Sequence, residues 1–517
     1  DNLRCRCVTL FAGAVLLASS MTSGAGEERG TTLRGLVIQA GRMLGAASVC
    51  PGIAPARVDG IAAKIAAMIK SEASGSGERP AAILDVLAKS EAEGAHSVAT
   101  KEIDCATAGR QLADLENIST PAAPNEPSAP GAPRPPVSSG QAAVARGVTA
   151  NEIRFGLSAP LSGPAKQLGQ QMMIGIETAF DSVNDEGGVH GRMLRLVAAD
   201  DGYEPERTAL VIKGLYEKDR IFGFIGNVGT PTAVVSLPFA LQHHMLFYGA
   251  FTGAGFLRRD PPDRYVFNYR ASYAEETAAV VHYLVSIRKI KPDQIAVFAQ
   301  EDSYGDAGFA GVMSAMRMLR GGDGGYVLRI GYPRNTIDVE NAIMQLKAHK
   351  TPIKAVVMVA AYRAAAKFIE KTHDVYPGLV YTNVSFVGST ALKDELMLLG
   401  PEYLSNVIVT QVVPAVDGYS TLVLQYKTAL ARYFAGEAPD YVSFEGYVAA
   451  EVLIEALKRA GAQLDTEKLV DTLEKMHGFD LGLGAPISFG RSDHQGLHKV
   501  WGTQLNESGQ YEPVDLQ

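Results

Sequence analysis

A turn around Thr230 carries residue types that could bind an anion. The stretch from Phe224 to Val235 begins with an apolar run that ends at Gly226 and continues as Asn-Val-Gly-Thr-Pro-Thr-Ala-Val-Val. Thr230 stands immediately before Pro231, which predicts Thr230 as the N-cap of a helix and Pro231 as its first residue. The first N–H groups of a helix lack internal partners and lie at the positive end of its dipole, so they can hold a carboxylate. The turn is therefore a candidate ligand site, unless Thr230 only caps its helix.

The other patterns that could do chemistry are weaker. Ser158 or Ser162 could serve as the nucleophile of a hydrolase, but neither lies in a Gly-x-Ser-x-Gly elbow. His243 and His244 have the residue type of a metal pair, yet adjacent positions on a helix face different directions. The sequence contains no Walker loop, zinc-binding spacing or haem attachment motif. We expect no metal, no cofactor and no enzymatic activity.

Charge and length exclude several classes of protein. The chain has 517 residues, a formal net charge of −8 and a hydrophobic fraction of 47%. A chain of this length predicts about three domains. An acidic chain without a Lys/Arg block has no positive field that would attract nucleic acid, so we expect no nucleic-acid partner.

Residues 1–25 predict a secretory signal peptide. Two arginines precede the apolar segment Val8–Ala18, which is followed by small residues at which a signal peptidase could cut. The segment is shorter than the roughly 20 residues that span a membrane. Cys5 and Cys7 precede the segment, whereas the lipidated cysteine of a lipoprotein follows it. We expect an exported, soluble protein that is not a lipoprotein.

Two regions separate the predicted signal from the rest of the chain. Residues 31–118 have apolar residues at helical spacing and predict a small helical domain. Cys50 and Cys105 are the remaining cysteines, and an even pair in an oxidising compartment predicts a disulfide, with two buried thiols as the alternative. Residues 119–146 are rich in proline and predict an extended linker, although a recognition segment for a proline-binding domain has the same composition.

Strand-like and helical segments alternate from Glu152 onward, which predicts an α/β fold with parallel sheets. One helix is indicated by the apolar stripe Leu168–Val183, and another begins at Ser272 with Glu275 completing a capping box. The length of the alternation predicts two lobes, with a ligand cleft where the carboxyl ends of the strands face each other. The predicted strands are Ile153–Leu157, Leu194–Ala198, Phe222–Ile225, Met245–Tyr248, Ile295–Ala299, Ala355–Val359, Val384–Val387 and Val407–Val409.

The segment Asn184–Asp201 resembles the leucine/isoleucine/valine-binding proteins, which are type I periplasmic solute-binding proteins of ABC importers. It begins Asn-Asp-Glu-Gly-Gly-Val-His-Gly-Arg and runs through a predicted strand to a pair of aspartates. Further motifs of that family match at Pro160–Gly163, Glu301–Gly305 and Gly484–Phe489. The resemblance covers about residues 147–517.

The resemblance implies the type I periplasmic-binding-protein fold, in which a ligand is enclosed between two lobes. Lobe 1 would comprise about residues 147–269 and 414–489, and lobe 2 about residues 270–413 and 490–517. The small helical domain would precede them. The chain would cross between the lobes near Asn268–Ala271, Thr410–Pro414 and Phe489–Gly496.

The resemblance also assigns residues to the ligand site. The family's ligand-binding serine falls on Thr230, and its backbone-and-hydroxyl pair falls on Ala250 and Thr252. In the second lobe, Tyr304 and Tyr362 match two tyrosines that cover the ligand. The residues alone allow other roles: Thr252 as a turn hydroxyl, Tyr304 as loop packing and Tyr362 as a core residue.

Ser162 and Thr390 complete the predicted site. Ser162 lies in the first strand-to-helix turn, where it either contacts the ligand or only forms the turn. At the position of Thr390, after Ser389, amino-acid-binding members of the family carry an acid that pairs with the ligand's ammonium. Burying an ammonium without a counter-charge is costly. Either another acid such as Asp302 replaces the missing one, or the ligand has no amine.

The function that the resemblance implies is the capture of a small polar ligand with a carboxylate in the periplasm. Closure of the lobes would then present it to an ABC permease in the inner membrane. A periplasmic sensing subunit of a signalling system is the alternative, because the same fold serves both. The sequence does not identify a partner for the helical domain at residues 31–118.

Overall fold

The computed structural model describes the following residues: 33–54, 57–63, 65–66, 80–99, 105, 107–109, 112, 145–321 and 324–516. The predicted signal peptide at residues 1–25 lies outside the described residues, as does nearly all of the predicted linker at residues 119–146. The chain forms two compact units, residues 1–138 and residues 139–517.

The first unit is helical where it is described. Helix α1 (Leu33–Ser48) and helix α2 (Pro80–Ala99) pack together with a third helical stretch at residues 57–63. Ile61 is part of the apolar core that they share. The predicted disulfide is confirmed, since Cys50 and Cys105 are bonded with their Cα atoms 5.4 Å apart.

The first lobe of the second unit is built on a five-stranded parallel sheet with the order β2-β1-β3-β4-β5. Its strands are β1 (Glu152–Ala159), β2 (Met193–Asp200), β3 (Gly223–Ile225), β4 (Leu246–Tyr248) and β5 (Val266–Phe267).

The second lobe has a seven-stranded sheet with the order β12-β11-β10-β9-β8-β6-β7. Strands β6 to β10 are parallel, and the last two are antiparallel to their neighbours. They are β6 (Ile295–Gln300), β7 (Leu328–Tyr332), β8 (Ala355–Val359), β9 (Val380–Asn383), β10 (Val407–Gln411), β11 (Trp501–Leu505) and β12 (Tyr511–Val514).

Helices follow most of the parallel strands, so each sheet buries its apolar strands against helices. The helices are α3 (Lys166–Asp185), α4 (Pro205–Glu217), α5 (Thr230–Gln242), α6 (Tyr273–His282), α7 (Ser303–Arg320), α8 (Glu340–Ala348), α9 (Tyr362–Thr372), α10 (Ser389–Leu399), α11 (Thr421–Tyr433), α12 (Tyr441–Ala460) and α13 (Thr466–Leu473). Single turns of 3₁₀-helix occur at Gly255–Leu257, Pro292–Gln294, Ser385–Val387 and Pro401–Leu404, and a π-helical turn at Tyr283–Ile287. Among the described residues, no helix is long and apolar enough to cross a membrane.

The predicted two-lobed α/β architecture with parallel sheets is confirmed, and so are several local details. Helix α3 covers the predicted apolar stripe. Ser272 and Glu275 form the predicted capping box at the start of α6, with each side chain bonded to the backbone of the other residue.

One predicted strand is wrong. The run Val384–Val387 is not in the sheet, because β9 ends at Asn383 and the chain then makes a 3₁₀ turn at Ser385–Val387. Phe386 in this turn is buried against aromatic rings outside the sheet, and Gly388 ends the turn in a left-handed conformation with φ of 79°. The apolar run therefore marks a buried turn, which strand propensity alone does not distinguish from a strand.

Candidate ligand-binding site

The turn at Thr230 ends β3 and starts α5, but its cap is not the predicted one. Gly229 is the N-cap, Thr230 is the first residue of the helix and Pro231 the second. Gly229 has φ of 107°, and a Cβ atom there would lie 2.3 Å from the Tyr203 ring, so both conformation and space require glycine. The Thr230 hydroxyl is consequently free of capping and lies 2.7 Å from the hydroxyl of Thr252.

Thr252 follows β4 in a loop that a partly buried arginine holds in place. Arg258 donates hydrogen bonds to the carbonyl oxygens of Thr252 and Ala254, and its Nε donates to Gln495 at 2.6 Å. Burial lowers the pKa of Arg258 to about 10. Ala250, two residues before Thr252, is also buried. The structure thus brings Thr230, Ala250 and Thr252 together at the carboxyl ends of neighbouring strands.

Aromatic side chains of the second lobe face these residues. Tyr304 is fully buried, and its ring centroid lies 4.7 Å from that of Phe386 and 5.4 Å from that of Tyr273. Phe386 stacks on Phe251 of the first lobe with 5.0 Å between centroids, and Tyr203 of the first lobe lies 6.0 Å from Phe386. Rings from both lobes therefore meet directly, and the cleft is closed at this point.

A buried ion cluster lies at the first crossover. Arg270 donates to Glu276 at 2.7 Å, to Glu445 at 3.4 Å and to the hydroxyl of Ser385. The second oxygen of Glu276 accepts from the backbone N–H of Ser385 at 2.8 Å and from the Thr410 hydroxyl. Burial raises the pKa of Glu445 to about 7, against the opposing effect of Arg270. The cluster joins elements of both lobes at the hinge.

The three predicted crossover segments lie side by side. Asn268 of the first segment pairs with the third, since its N–H donates to His494 O and its carbonyl accepts from the N–H of Gly496, both at 2.8 Å. The Tyr269 hydroxyl donates to Val412 O of the second segment at 2.8 Å.

Two of the predicted site residues line a different space. Tyr362 and Thr390 line a pocket of about 280 Å³ whose walls include neither Thr230 nor Thr252. The Tyr362 hydroxyl donates to Pro164 O of the first lobe at 2.7 Å, which is a further contact across the cleft. The side chain of Thr390 interacts with the buried carboxylate of Asp440, whose pKa is raised by burial and lowered in part by this contact.

Ser162 is exposed and does not line the pocket that contains Tyr362 and Thr390. Its hydroxyl donates to Asp200 at 2.5 Å, and the same carboxylate accepts from the N–H groups of Leu161 and Gly202. These hydrogen bonds, with one from Arg207, outweigh partial burial and lower the pKa of Asp200 to about 2. Ser162 thus belongs to a turn that is organised around a carboxylate.

Asp302 is already engaged by other residues. Its carboxylate accepts from the N–H of Tyr304 at 3.0 Å, from Gln300 at 2.7 Å and from Arg334 at 3.1 Å. Arg334 also pairs with Glu204 of the first lobe at 2.9 Å. The charge of Asp302 is therefore neutralised by arginine, which disfavours its use as the partner of a ligand ammonium.

These residues form two groups with different exposure. The cleft floor consists of buried residues at the hinge side of the cleft: Thr230, Thr252, Arg270, Tyr273, Tyr304 and Phe386. The cleft rim consists of residues that, apart from Tyr362, are at least partly exposed: Ser162, Glu204, Arg334, Tyr362 and Thr390.

Sequence reasoning missed Arg270, Tyr273 and Phe386 of the cleft floor. The only sequence signal for Tyr273 and Arg270 was their position within or next to the predicted crossover at Asn268–Ala271. Phe386 was hidden by the wrong strand prediction at Val384–Val387.

Comparison with known proteins identifies the family. The profile of the periplasmic binding protein family matches residues 152–510. This chain belongs to the periplasmic binding protein family. The predicted resemblance is confirmed, and the match leaves the helical unit outside it.

Individual relatives agree with this assignment. A possible leucine/isoleucine/valine-binding protein from Rhodopirellula baltica SH 1 has a solved structure that is 38% identical, with a TM-score of 0.67, covering 71% of this chain and 97% of that one. Leu/Ile/Val-binding protein homolog 7 of Brucella abortus (strain 2308) is 26% identical, covering 60% of this chain and 77% of that protein. A branched-chain amino acid ABC transporter structure from Thermus thermophilus with bound valine shares the fold, at 17% identity, a TM-score of 0.62 and coverage of 71% and 96%.

The family consists of substrate-binding proteins and not of enzymes. The two serines that could act as nucleophiles fit this description, because each hydroxyl donates to a carboxylate and not to an imidazole. Ser158 donates to Asp201 at 2.7 Å, and Ser162 donates to Asp200.

Proposed function

We propose that this periplasmic binding protein captures a small molecule bearing a carboxylate and presents it to the permease of an ABC importer. The observation that supports this most is the pair of buried hydroxyls on Thr230 and Thr252 at the start of the 13-residue helix α5. Both hydroxyls can donate hydrogen bonds, and the helix terminus adds unpaired N–H groups and a positive dipole end. An anionic group of the ligand is the species that such a site stabilises.

The proposed mechanism is closure of the hinge around the ligand. Contacts that cross the cleft join Phe251 to Phe386, Tyr362 to Pro164 and Arg334 to Glu204. A ligand that contacts both lobes has more favourable interactions in the closed arrangement and shifts the equilibrium toward it. We propose that the permease, in the inner membrane, recognises this closed form after export of the protein to the periplasm.

Whether the ligand carries an ammonium group in addition to its carboxylate decides the specificity. Thr390 stands where amino-acid-binding relatives would carry an acid to pair with an ammonium, and Asp302 and Glu276, which lie beside residues of the cleft floor, are held by arginines. This arrangement supports an organic acid, or an amino acid whose amine stays near the partly exposed rim. The branched-chain names of the relatives support a ligand of similar size.

A binding screen tests the proposal. Purified protein is mixed with L-leucine, L-phenylalanine, the amine-free 4-methyl-2-oxopentanoate, L-leucinamide and urea, and thermal shift is followed by calorimetry. We expect the carboxylates to raise the melting temperature, and the double variant Thr230→Ala, Thr252→Ala to bind them about tenfold more weakly, the loss of one or two net hydrogen bonds.

The ligand-free double variant should melt only slightly below the wild type, because both partners of the hydroxyl pair are removed together and only the N–H of Ala254, which donates to the Thr252 hydroxyl at 3.2 Å, loses its acceptor. Ser236→Ala is the matched control, since it deletes another buried hydroxyl of α5 that donates to Thr232 O at 3.0 Å. Its affinity should equal that of the wild type. If the double variant binds carboxylates as tightly as the wild type, the assignment of Thr230 and Thr252 to the ligand site is wrong.

The helical unit supports a second candidate function, that of a sensing subunit. It lies outside the residues matched by the family and provides a disulfide-bonded surface that transport does not require. A pull-down of the full chain with and without the bound carboxylate separates the candidates: recovery of a permease favours transport, and recovery of a receptor kinase favours sensing.

A further inference from the structure

Tyr273 carries a hydroxyl that its surroundings do not satisfy. The residue begins α6, directly after the first crossover, and is 1% exposed. No residue that the structure describes makes a hydrogen bond of normal geometry with its phenol oxygen. A buried polar atom without a partner destabilises a fold, whereas phenylalanine would fill the same space without that penalty. Apart from the weak interactions with the neighbouring Thr252 and Thr230 hydroxyls, the phenol is therefore available to a partner that binds from outside.

The position of this hydroxyl indicates what the partner is. The hydroxyls of Thr252 and Thr230 lie close enough to lower the pKa of Tyr273, against a larger increase caused by burial. The phenol, whose pKa burial raises above its ordinary value of 10.0, is protonated at neutral pH and can donate a hydrogen bond. Three hydroxyl groups from three separate segments converge at the start of α5.

The backbone fixes Tyr273 against the loop that carries Thr252. Its N–H donates to Gly253 O at 2.8 Å, and a Cβ atom on Gly253 would lie 2.5 Å from that nitrogen. The ring also packs on Tyr304, with 5.4 Å between centroids. The hydroxyl is consequently held in place before a ligand arrives, which reduces the entropy lost on binding.

We propose that Tyr273 donates the third hydrogen bond to the ligand's carboxylate, beside Thr230 and Thr252, and thereby selects carboxylates over amides. The inference rests on the proposed function. A carboxylate has two oxygens, each with two lone pairs, so it can accept from all three hydroxyls while the direct bond between the threonines is given up. A primary amide offers a single oxygen to the same donors.

The variant Tyr273→Phe tests the inference, because it removes only the oxygen. Calorimetry with 4-methyl-2-oxopentanoate, L-leucine and L-leucinamide should show about tenfold weaker binding of the two carboxylates and a change of less than about twofold for the amide. The ligand-free variant should melt at the wild-type temperature or above it.

Tyr248→Phe is the matched control. Tyr248 is equally buried in the first lobe, but its hydroxyl donates to Ala449 O at 2.9 Å. This variant should have a lower melting temperature and the wild-type affinity. A melting temperature that is unchanged or higher in Tyr273→Phe but lower in Tyr248→Phe would distinguish a hydroxyl without a partner from one whose hydrogen bond stabilises the fold.

The outcomes distinguish this inference from the proposed function. Unchanged carboxylate affinity in Tyr273→Phe, with affinity lost in the double threonine variant, overturns the role of Tyr273 alone. Unchanged affinity in both overturns the site itself. A wild-type protein that binds none of the three probes overturns the proposed function and the inference together.

Discussion

The cleft floor and the cleft rim use polar side chains in different surroundings. In the floor, Arg270 and its carboxylate partner Glu276 are buried almost completely, with exposures of 1% and 0%. In the rim, Arg334 and Glu204 form a pair of similar length, but 24% and 42% of their side chains are exposed. Two contacts of the same chemistry thus differ mainly in their access to water.

This difference sets the strength of each contact. Water screens an exposed ion pair, and ordering two long side chains offsets much of its energy. A buried charge has lost its hydration, so removing its partner leaves a large penalty. We infer that the floor fixes the hinge and the anion site, whereas the rim adjusts closure with little effect on stability. The following predictions test this contrast.

The largest effect is expected for Arg270→Met. The change leaves Glu276 and Glu445 buried without the arginine that they contact directly, which should lower the free energy of unfolding by about 3–5 kcal/mol. Urea denaturation measures it. Arg329→Met is the control, because Arg329 pairs with the largely exposed Asp306 at 2.6 Å in the same lobe. Equal losses in the two variants would erase the contrast between buried and exposed pairs.

A smaller, pH-dependent effect is expected for Glu445→Gln. Burial raises the pKa of Glu445 from its ordinary value of 4.5 to about 7. Between these values the unfolded chain releases the proton and the folded chain keeps it, so Glu445 makes the folded state less stable as pH rises. The loss should be on the order of 3 kcal/mol between pH 4.5 and 7.

Denaturation curves across this pH range measure the effect as a difference between wild type and Glu445→Gln. The variant should be the more stable protein at pH 8, and the two should converge near pH 4.5. Curves that run parallel over the whole range would contradict the assignment of this titration to Glu445.

The smallest effect is expected for Glu204→Gln in the rim, which removes the ion pair with Arg334 while Arg334 keeps its pair with Asp302. Solvent screening limits the pair of Glu204 with Arg334 to about 1 kcal/mol or less, and added salt should weaken it further. Carboxylate affinity, measured by calorimetry, should fall by about threefold or less, since only closure is affected. A loss as large as that of Arg270→Met would show that the rim is as tightly coupled to folding as the floor.

Local sequence signals predicted the elements of the fold well. The capping box at Ser272 and Glu275, the stripe in α3 and most strands depend on residues a few positions apart. Strands β5, β7, β9, β11 and β12 were not predicted, and for β11 and β12 the reason is that their antiparallel pairing gives no βα alternation. Val384–Val387 was misread because a buried turn and a buried strand share the same apolar composition.

The site was only partly predictable, because local sequence signals do not show which distant residues the fold brings together. The structure places Thr230, Ala250, Thr252 and Tyr304 together, but it puts Tyr362 and Thr390 in another pocket and Ser162 on an exposed turn. Their roles in ligand binding stay predictions. No sequence motif predicted that Arg258 holds the Thr252 loop. Most of its partners are backbone carbonyl groups, which every residue type carries and which therefore leave no pattern in the sequence.

The sequence by itself determined the alternation of strands and helices and the pairing of Cys50 with Cys105, and it predicted an anion site in the turn at Thr230. Each follows from short-range propensity or from a count of residues. Only the tertiary structure decided that Arg270 meets Glu445, 175 positions away, and that Gly229 caps α5 so that the Thr230 hydroxyl stays available. Contacts between distant segments depend on how the lobes pack, which no short stretch of sequence encodes.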